Sequence, residues 1–401
     1  MNTAYIIDAV RTPIGKYGGK LASMRPDDML AYVINALLQR NITIDVRAIE
    51  QLIIGDANQA GEDCRNVARM AALLTGLPAS ISGTTINSLC ASGMEAIMQA
   101  ARSISCGDGL FYIAGGVESM TRAPFVMPKK EGDWNKPSDS KVYNSTIGWR
   151  FTNSKLAAMY PPYSMGETAE HIAQQWNISR EEQDAFALQS HEKYFAAQNA
   201  GKWDNEIVLI EMNDDEGLIN WFTMDESPRR LSAEILAALK SAFVPNGTVT
   251  AGNASGLNDG AAVLLMASEE AVRMFDLQPI AKVVSMSVAG VDPAIMGMAP
   301  VPATNKALKR AGLKMSDIDL IELNESFAVQ ALACIKELEI DAHKVNVNGG
   351  SLAIGHPMGC SGARITTTLV HEMLRTDAKY GLATTCAGMG QGSAIILERV
   401  Q

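Results

Sequence analysis

Two cysteines and one histidine stand where side chains can do chemistry. Cys90 lies in Asn-Ser-Leu-Cys-Ala-Ser-Gly, where a predicted strand turns into a predicted helix. A thiol at a helix N-terminus feels the positive end of the helix dipole, so we expect a lowered pKa for Cys90. Backbone N–H groups of the same turn are suited to holding an oxyanion. The turn therefore predicts a nucleophile, and the alternative is a buried structural cysteine.

His356 and Cys386 lie in glycine-rich segments of the C-terminal part. His356 follows Gly-Gly-Ser-Leu-Ala-Ile-Gly, which has too much glycine for a helix and is predicted to be a loop. Histidine is the natural base for activating a thiol near neutral pH. Cys386 ends an apolar strand and begins Cys-Ala-Gly-Met-Gly-Gln-Gly. These glycines imitate a dinucleotide-binding loop, but a predicted strand follows instead of a helix, which argues against that function.

A metal site is the alternative function for the same region. His356 and Cys360 are four residues apart, a spacing that suits zinc only on a helix. Pro357 and Gly359 argue against that helix, and the sequence has no Cys-x-x-Cys pair. We therefore expect no metal.

Two polar segments are the remaining candidates for site residues. Asn324, in Asn-Glu-Ser-Phe, closes an apolar strand, which is where α/β proteins place site residues. Its alternative function is to cap the helix that follows. Residues 248–262 are small and polar and include Thr-Ala-Gly-Asn-Ala-Ser-Gly. Such a segment suits close backbone approach by an extended ligand.

The elements that position these residues alternate between strands and helices. Short apolar or β-branched strands are predicted at 5–9, 52–54, 84–86, 111–114, 263–266, 282–287, 320–323, 344–347, 382–385 and 394–397. Helical patterns separate most of them, for example at 94–103 and 366–374. The alternation predicts an α/β protein with buried sheets.

An internal repeat divides the chain. Cys90 and Cys360 each precede a small-residue turn and a helical pattern, and the two stretches are offset by about 270 residues. This predicts two α/β halves of one ancestry.

The segment between the two halves, about 121–250, holds all five tryptophans and none of the six cysteines. In it, Ser179, Glu182 and Gly201 mark the start and end of a helix. We expect this insertion to cover a binding site; otherwise it only adds surface.

Composition excludes several classes of protein. A length of 401 residues exceeds the roughly 250–300 at which a single core stops growing, which predicts two or more domains. The net charge of −10 and the lack of a Lys/Arg run exclude nucleic acid as a main partner. No uncharged apolar stretch is long enough for a membrane span. The N-terminus has no signal-peptide pattern, and six cysteines without one predict reduced thiols in the cytoplasm.

Together these segments resemble the thiolase family along the whole chain. The matching motifs are those around Cys90, Ser255, Asn324, His356 and Cys386. The resemblance implies two βαβαβαββ-type halves in a five-layered α-β-α-β-α body with an inserted loop domain. The implied domains are 1–120, completed by about 251–277, then the insertion at 121–250 and the C-terminal half at 278–401. It also implies a homotetramer built from tight dimers.

The resemblance implies an acetyl-CoA C-acyltransferase that cleaves a 3-oxoacyl-CoA with CoA. Cys90 would be the nucleophile, His356 its base and Cys386 the second acid and base. The backbone N–H groups of Cys90 and Gly388 would hold one oxyanion, and His356 with a water held by Asn324 would stabilise the enolate. Coenzyme A and acetyl-CoA are substrates, and no cofactor is permanently bound. The residues expected at CoA are Arg229, Ala251, Ser255 and Met165.

Subgroup features indicate the substrate. The stretches 59–63, 119–127, 148–151 and 390–392 resemble the 3-oxoadipyl-CoA thiolases of aromatic-compound breakdown. Three positions depart from that pattern. Ser326 stands where the family usually has Ala, and Ala387 stands where it has a larger aliphatic residue. Met94 resembles the acetoacetyl-CoA thiolases, so an enzyme of that type working in the condensing direction is the alternative.

Three other functions stay open at this stage. A ketoacyl synthase of the same superfamily needs a second His or an Asn where this chain has Cys386. A non-catalytic lipid- or CoA-binding relative would have no need of Cys90, His356 and Cys386 together. A redox-sensing function would use Cys90 and Cys386 as a reversible crosslink.

Overall fold

The structure is a computed structural model that describes residues 2–138, 141–213 and 219–400. Its strands are β1 Ala4–Arg11, β2 Gly15–Lys16, β3 Ile49–Gly55, β4 Ser82–Ile86, β5 Phe111–Ser119, β6 Phe125–Val126, β7 Lys129–Lys130, β8 Asp133–Pro137, β9 Tyr143–Asn144, β10 Ile210–Asn213, β11 Ile219–Phe222, β12 Asn258–Ser268, β13 Ala281–Gly290, β14 Leu320–Leu323, β15 Tyr380–Ala387 and β16 Gln391–Arg399. Its helices are α1 Pro26–Arg40, α2 Val67–Leu74, α3 Ser92–Cys106, α4 Ser154–Met159, α5 Met165–Trp176, α6 Arg180–Asn199, α7 Ala233–Ala237, α8 Glu269–Met274, α9 Pro300–Ala311, α10 Ala328–Glu337, α11 Ser351–Ile354 and α12 Met358–Thr376.

The two halves have the same strand order. The N-terminal half runs β4-β3-β5-β12-β1, and the C-terminal half runs β14-β15-β16-β13. Parallel strands, three in the N-terminal half and two in the C-terminal half, are followed by antiparallel neighbours in each. A short antiparallel pairing of β1 with β13 joins the halves edge to edge. The repeated topology agrees with the predicted internal repeat, while the domain limits at 120, 250 and 277 stay a prediction.

The strand predicted at 344–347 is wrong. Val345 makes only a single parallel bridge to Ile321, at the position that β4 has in the other half. Asn346 has a left-handed backbone with φ of 43°. Its side chain bonds both the N–H and the C=O of Leu323. These side-chain bonds replace the backbone ladder that a strand would form.

Three large hydrophobic cores hold five layers together, and the central core packs the middle helices against both sheets. Alternation along β12 shows the arrangement: Leu264 and Met266 pack in the central core with α3 and α12, whereas Val263 and Leu265 pack in an outer core with α1 and α2. The second outer core packs α9 and α10 on the other sheet. The fully buried strands explain their near-continuous apolar sequences. The predicted α/β fold in α-β-α-β-α layers is confirmed.

The central helices α3 and α12 approach each other closely through glycine. A Cβ atom at Gly93 of α3 would lie 2.8 Å from the carbonyl oxygen of Gly359 and 2.9 Å from the nitrogen of Ala363, both in α12. Only a residue without a side chain fits between these backbones. Cys90 precedes the first residue of α3 by two positions, and His356 precedes the first residue of α12 by two. The contact therefore fixes these two residues relative to each other.

The insertion is fastened to the body by buried charges. Arg11 of β1 binds Glu206 at 2.6 Å and Asp225 at 2.6 Å, and all three side chains are fully buried. The helix predicted between Ser179 and Gly201 is α6, and Ser179 forms the predicted capping box. Residues 139–140 and 214–218 of the insertion lie outside the described residues. No helix in the described ranges is long and apolar enough to cross a membrane.

Candidate active site

Cys90 lies on a constrained turn between β4 and α3. Leu89, immediately before it, has a left-handed backbone with φ of 53°, which is uncommon for a residue with a branched side chain. The side chain of Asn87 accepts from the N–H of Leu89 at 3.0 Å. The hydroxyl of Ser92 donates to the Leu89 carbonyl at 2.6 Å. These bonds hold the strained turn and leave Cys90 half-buried.

The expectation of a lowered pKa for Cys90 is wrong. Burial of the thiol, with a further contribution from Cys386, raises the pKa of Cys90 to about 12. The N–H groups of Gly388 and of Cys90 itself oppose the rise. The helix begins two residues later, at Ser92, and burial outweighs its dipole. Cys90 is therefore a neutral thiol at pH 7 that needs a base.

His356 is held as a neutral imidazole. Its Nδ1 lies 2.6 Å from Oγ of Ser361, and the same hydroxyl donates to the carbonyl of Pro357 at 2.9 Å. A hydroxyl has one hydrogen, so Ser361 accepts from Nδ1–H and Nε2 is left as the acceptor. Burial, with the nearby Arg364, lowers the pKa of His356 to about 4. His356 is consequently unprotonated at pH 7 and able to act as a base through Nε2.

The chain around His356 is less loop-like than its glycines predict. Residues Ser351–Ile354 form one helical turn, α11, and α12 begins at Met358, immediately after Pro357. Only residues 355–357 stay outside a helix. The N–H of His356 donates to the side chain of Asn258 at 2.9 Å, which anchors this short connection.

Asn324 is oriented by a hydrogen-bond chain. Its Oδ1 accepts from the hydroxyl of Ser351 at 2.6 Å, and that hydroxyl accepts from Arg364 at 2.7 Å. Its amide nitrogen therefore faces the site and lies 3.1 Å from Oγ of Ser326. The next helix, α10, begins at Ala328 with Phe327 as its N-cap residue, so Asn324 does not cap it.

Cys386 is buried at the end of β15. Burial raises its pKa to about 11, and a hydrogen bond from Ser326 opposes that rise. Two left-handed residues, Met389 and Gly390, then turn the chain into β16. The Gly388 N–H, just before this turn, is close enough to the Cys90 thiol to lower its pKa. The structure thus brings Cys90, Cys386 and Gly388 together.

Sequence reasoning missed the hydroxyl groups of the site. Ser326 lies 3.5 Å from Nε2 of His356 and 3.5 Å from Sγ of Cys386. The sequence showed it only as a departure from the family at the site wall. Ser351 and Ser361 each lie five residues from His356, and no motif distinguishes them from structural serines.

The residues expected at CoA fall into separate groups. Arg229 is exposed, and its guanidinium donates to the carbonyl of Ala251 at 3.4 Å. Its neighbour Arg230 instead stacks over Phe195 at 4.7 Å. Arg229 is therefore the arginine of this pair that is held beside Ala251.

Ser255 and Met165 approach other parts of the site. The hydroxyl and the N–H of Ser255 both donate to the carbonyl of Ser326, at 3.0 and 3.1 Å. Met165 begins α5 and packs against the outer core of the C-terminal half. Ser255 therefore supports the Asn324–Ser326 segment.

The remaining cysteines have no metal-binding geometry in the described part of the chain. No group of three or more His, Cys, Asp or Glu side chains there could hold a metal ion. Cys360 packs in the central core, and all six cysteines are free thiols.

Comparison with known proteins identifies the family. Residues 4–270 match the N-terminal domain of thiolases, and residues 277–399 match the C-terminal domain. The chain is 51% identical to the 3-oxoadipyl-CoA/3-oxo-5,6-dehydrosuberyl-CoA thiolase of Escherichia coli K12, over 100% of both chains.

Solved structures agree with this match. The acetyl-CoA acetyltransferase of Bacillus anthracis superposes with a TM-score of 0.93 at 40% identity, covering 100% of this chain and 99% of that one. Human mitochondrial 3-ketoacyl-CoA thiolase in complex with CoA gives 0.91 at 37% identity, covering 100% and 98%. The chain therefore belongs to the thiolase family of acyltransferases.

Proposed function

We propose that this thiolase cleaves 3-oxoadipyl-CoA with CoA, giving acetyl-CoA and the shortened acyl-CoA. One arrangement supports the reaction above all: a thiol at Cys90 and a second thiol at Cys386, with a neutral His356 and the N–H of Gly388 at the same site. The full-length identity to the Escherichia coli 3-oxoadipyl-CoA thiolase supports the substrate.

The first half-reaction uses Cys90. Nε2 of His356 takes the thiol proton, and the thiolate attacks the 3-keto carbon of the substrate. The N–H groups of Cys90 and Gly388 stabilise the resulting oxyanion. The C2–C3 bond then breaks, leaving the acyl group on Cys90 as a thioester and acetyl-CoA as its enolate. Protonated His356 and the amide of Asn324 stabilise the enolate oxygen.

The second half-reaction uses Cys386. Its thiol gives a proton to the enolate carbon, which completes acetyl-CoA. The Cys386 thiolate then takes the proton of an incoming CoA thiol. The CoA thiolate attacks the acyl-Cys90 thioester, acyl-CoA is released, and the departing Cys90 thiolate takes its proton back from His356. A covalent intermediate divides the transfer into two steps and predicts ping-pong kinetics.

Coenzyme A is proposed to bind against the insertion. Arg229 offers an exposed charge for its phosphates, while Ala251 and Ser255 line a small-residue segment that its pantetheine arm can approach. Met165, half-buried at the start of α5, provides an apolar contact.

The alternative is an acetoacetyl-CoA thiolase that works in the condensing direction. The likeness to the acetyl-CoA acetyltransferase of Bacillus anthracis favours it, as does Met94. The two functions share every catalytic step and differ in the length of the acyl group.

The proposal includes a homotetramer of tight dimers in the cytoplasm. Among the described residues β4 is the terminal strand of its sheet, so its outer edge is free to pair with a second copy. Phe125, Trp134 and Met159 expose apolar surface on the insertion, which fits a further contact between copies. Six free thiols support a reducing compartment.

Light scattering on the protein as it elutes from a sizing column should give the mass of four chains. The mass of one or two chains would contradict the tetramer.

Thiolysis rates should distinguish the two substrates. We expect kcat/KM for 3-oxoadipyl-CoA to exceed the values for acetoacetyl-CoA and for a medium-chain 3-oxoacyl-CoA. The measurement is the loss of the 3-oxoacyl-CoA absorbance with CoA in excess. A clear preference for acetoacetyl-CoA would overturn the substrate and leave the thiolase chemistry unchanged.

Cys386→Ser should separate the two thiols. A hydroxyl is far too weak an acid and base for the task given to Cys386. Acetylation of Cys90 by acetyl-CoA needs only His356, and CoA thiolate is a good leaving group. We expect acetyl-Cys90 to form, as shown by mass spectrometry, while condensation falls by several orders of magnitude.

The control is Cys106→Ser, which removes an exposed thiol at the end of α3 and should change neither step. If Cys386→Ser condenses at the normal rate, or loses acetylation and condensation together, Cys386 does not have the separate function proposed.

A further inference from the structure

Ser326 stands at the centre of the site without a function in the mechanism above. Its Oγ lies 3.1 Å from the amide nitrogen of Asn324, 3.5 Å from Nε2 of His356 and 3.5 Å from Sγ of Cys386. Its side chain therefore contacts both the base for the first thiol and the second thiol itself. The residue is only 5% exposed, so few water molecules can compete for these contacts.

The direction of the hydrogen bonds around Ser326 is fixed from the protein interior. Arg364 can only donate, so the hydroxyl of Ser351 accepts from it and gives its own hydrogen to Oδ1 of Asn324. The amide nitrogen of Asn324 must then donate to Oγ of Ser326. The hydrogen of the Ser326 hydroxyl is consequently free to point only toward His356 or Cys386.

The backbone of Ser326 is held on both sides. Its carbonyl accepts from the N–H and the hydroxyl of Ser255, at 3.1 and 3.0 Å. Its N–H donates to the side chain of Gln330 at 3.2 Å. With the main chain fixed, rotation about the Cβ–Oγ bond is the freedom that the hydroxyl retains.

One hydrogen thus faces two acceptors whose state changes during the reaction. Nε2 of His356 accepts while the imidazole is neutral, but it becomes a donor once it holds the proton of Cys90. We propose that Ser326 is a positioning residue whose hydroxyl donates to His356 at rest and turns to Sγ of Cys386 when His356 is protonated. The inference rests on the functions proposed above for His356 and Cys386.

The rotation moves no proton between residues. The Cys90 proton passes to Nε2 of His356, Ser326 keeps its own hydrogen, and the Cys386 thiolate gains a hydrogen bond when it forms. A hydrogen bond to the charged form of a group favours that form. Ser326 therefore makes Cys386 a stronger acid just when the enolate needs its proton.

Other ionisable groups near these atoms do not depend on Ser326. Cys90 and Cys334 interact with Cys386, and Arg364 acts on His356. Glu118 acts on Cys90. A substitution at position 326 leaves all four in place, so an effect on Cys386 alone can be assigned to the lost hydroxyl.

Ser326→Ala is the test, with two rates measured on the same protein. Acetylation of Cys90 by acetyl-CoA should change less than about 3-fold, because His356 keeps its free Nε2. Deuterium exchange at the methyl group of acetyl-CoA depends on the Cys386 thiolate and should fall about 10–100-fold, as expected for a lost hydrogen bond to a charged group. KM for acetyl-CoA should stay constant. Ser326→Thr, which keeps the hydroxyl, should exchange faster than Ser326→Ala.

Thr384→Val is the matched control. It removes a fully buried hydroxyl of β15 that donates to the carbonyl of Ser393, and it should leave the ratio of the two rates unchanged. An equal fall of acetylation and exchange in Ser326→Ala, a normal exchange rate, or a Thr variant no faster than Ala would overturn the proposal.

The same exchange assay on Cys386→Ser distinguishes a failure of the function proposed for Cys386 from a failure of the inference about Ser326. If Cys386→Ser keeps methyl exchange, the function proposed for Cys386 is wrong. If Cys386→Ser loses exchange while Ser326→Ala retains it, only the inference about Ser326 fails.

Discussion

The close contact between α3 and α12 is the constraint on which the site depends. Gly93 of α3 and Gly362 of α12 let two helices from different halves of the chain meet backbone to backbone. Because Cys90 and His356 each precede one of these helices by two residues, the separation of the proposed nucleophile and base is set by helix packing. Packed interiors resist displacement, so residues on the turns that flank these helices are held in fixed positions relative to each other.

The same packing explains why the site is uncharged at rest. Burial disfavours every charged form, so it raises the pKa of Cys90 and Cys386 and lowers that of His356. Two neutral thiols beside a neutral imidazole need no ion pair in a poorly solvated interior. Charge develops only when a substrate carbonyl arrives to accept it, at a point where Gly388 and Asn324 present hydrogen-bond donors.

The sequence alone predicted which residues meet in the site better than it predicted their pKa values. Cys90, His356, Cys386 and Asn324 stand in short motifs whose residue types suggest their functions, and the structure brings them together. The pKa of Cys90 was wrong in direction because the sequence shows a helix start but not the depth of burial. The helical turn at Ser351–Ile354 was missed because packing overrides the low helix propensity of glycine-rich segments.

The α/β layers and the division into two similar halves were predicted from the sequence, whereas local exceptions were not. The alternating apolar pattern and the repeat predicted the layers. Asn346 looked like part of a strand at 344–347, and only the structure shows its side chain bonding Leu323 in place of a backbone ladder. The functions proposed for Ser326 and His356 depend on the direction of single hydrogen bonds at Ser326 and Ser361, which is set by three-dimensional neighbours and leaves no pattern along the chain.

Nitrogen NMR of His356 tests whether the site rests with a neutral imidazole whose Nε2 is free to accept a proton. In protein with ¹⁵N-labelled histidine, the His356 signals can be assigned by their loss in His356→Asn. Because its pKa is lowered to about 4, the ring should stay neutral above about pH 5, with the proton on Nδ1 and Nε2 unprotonated. A ring that titrates near the ordinary value of 6.5, or that carries its neutral proton on Nε2, would contradict the account.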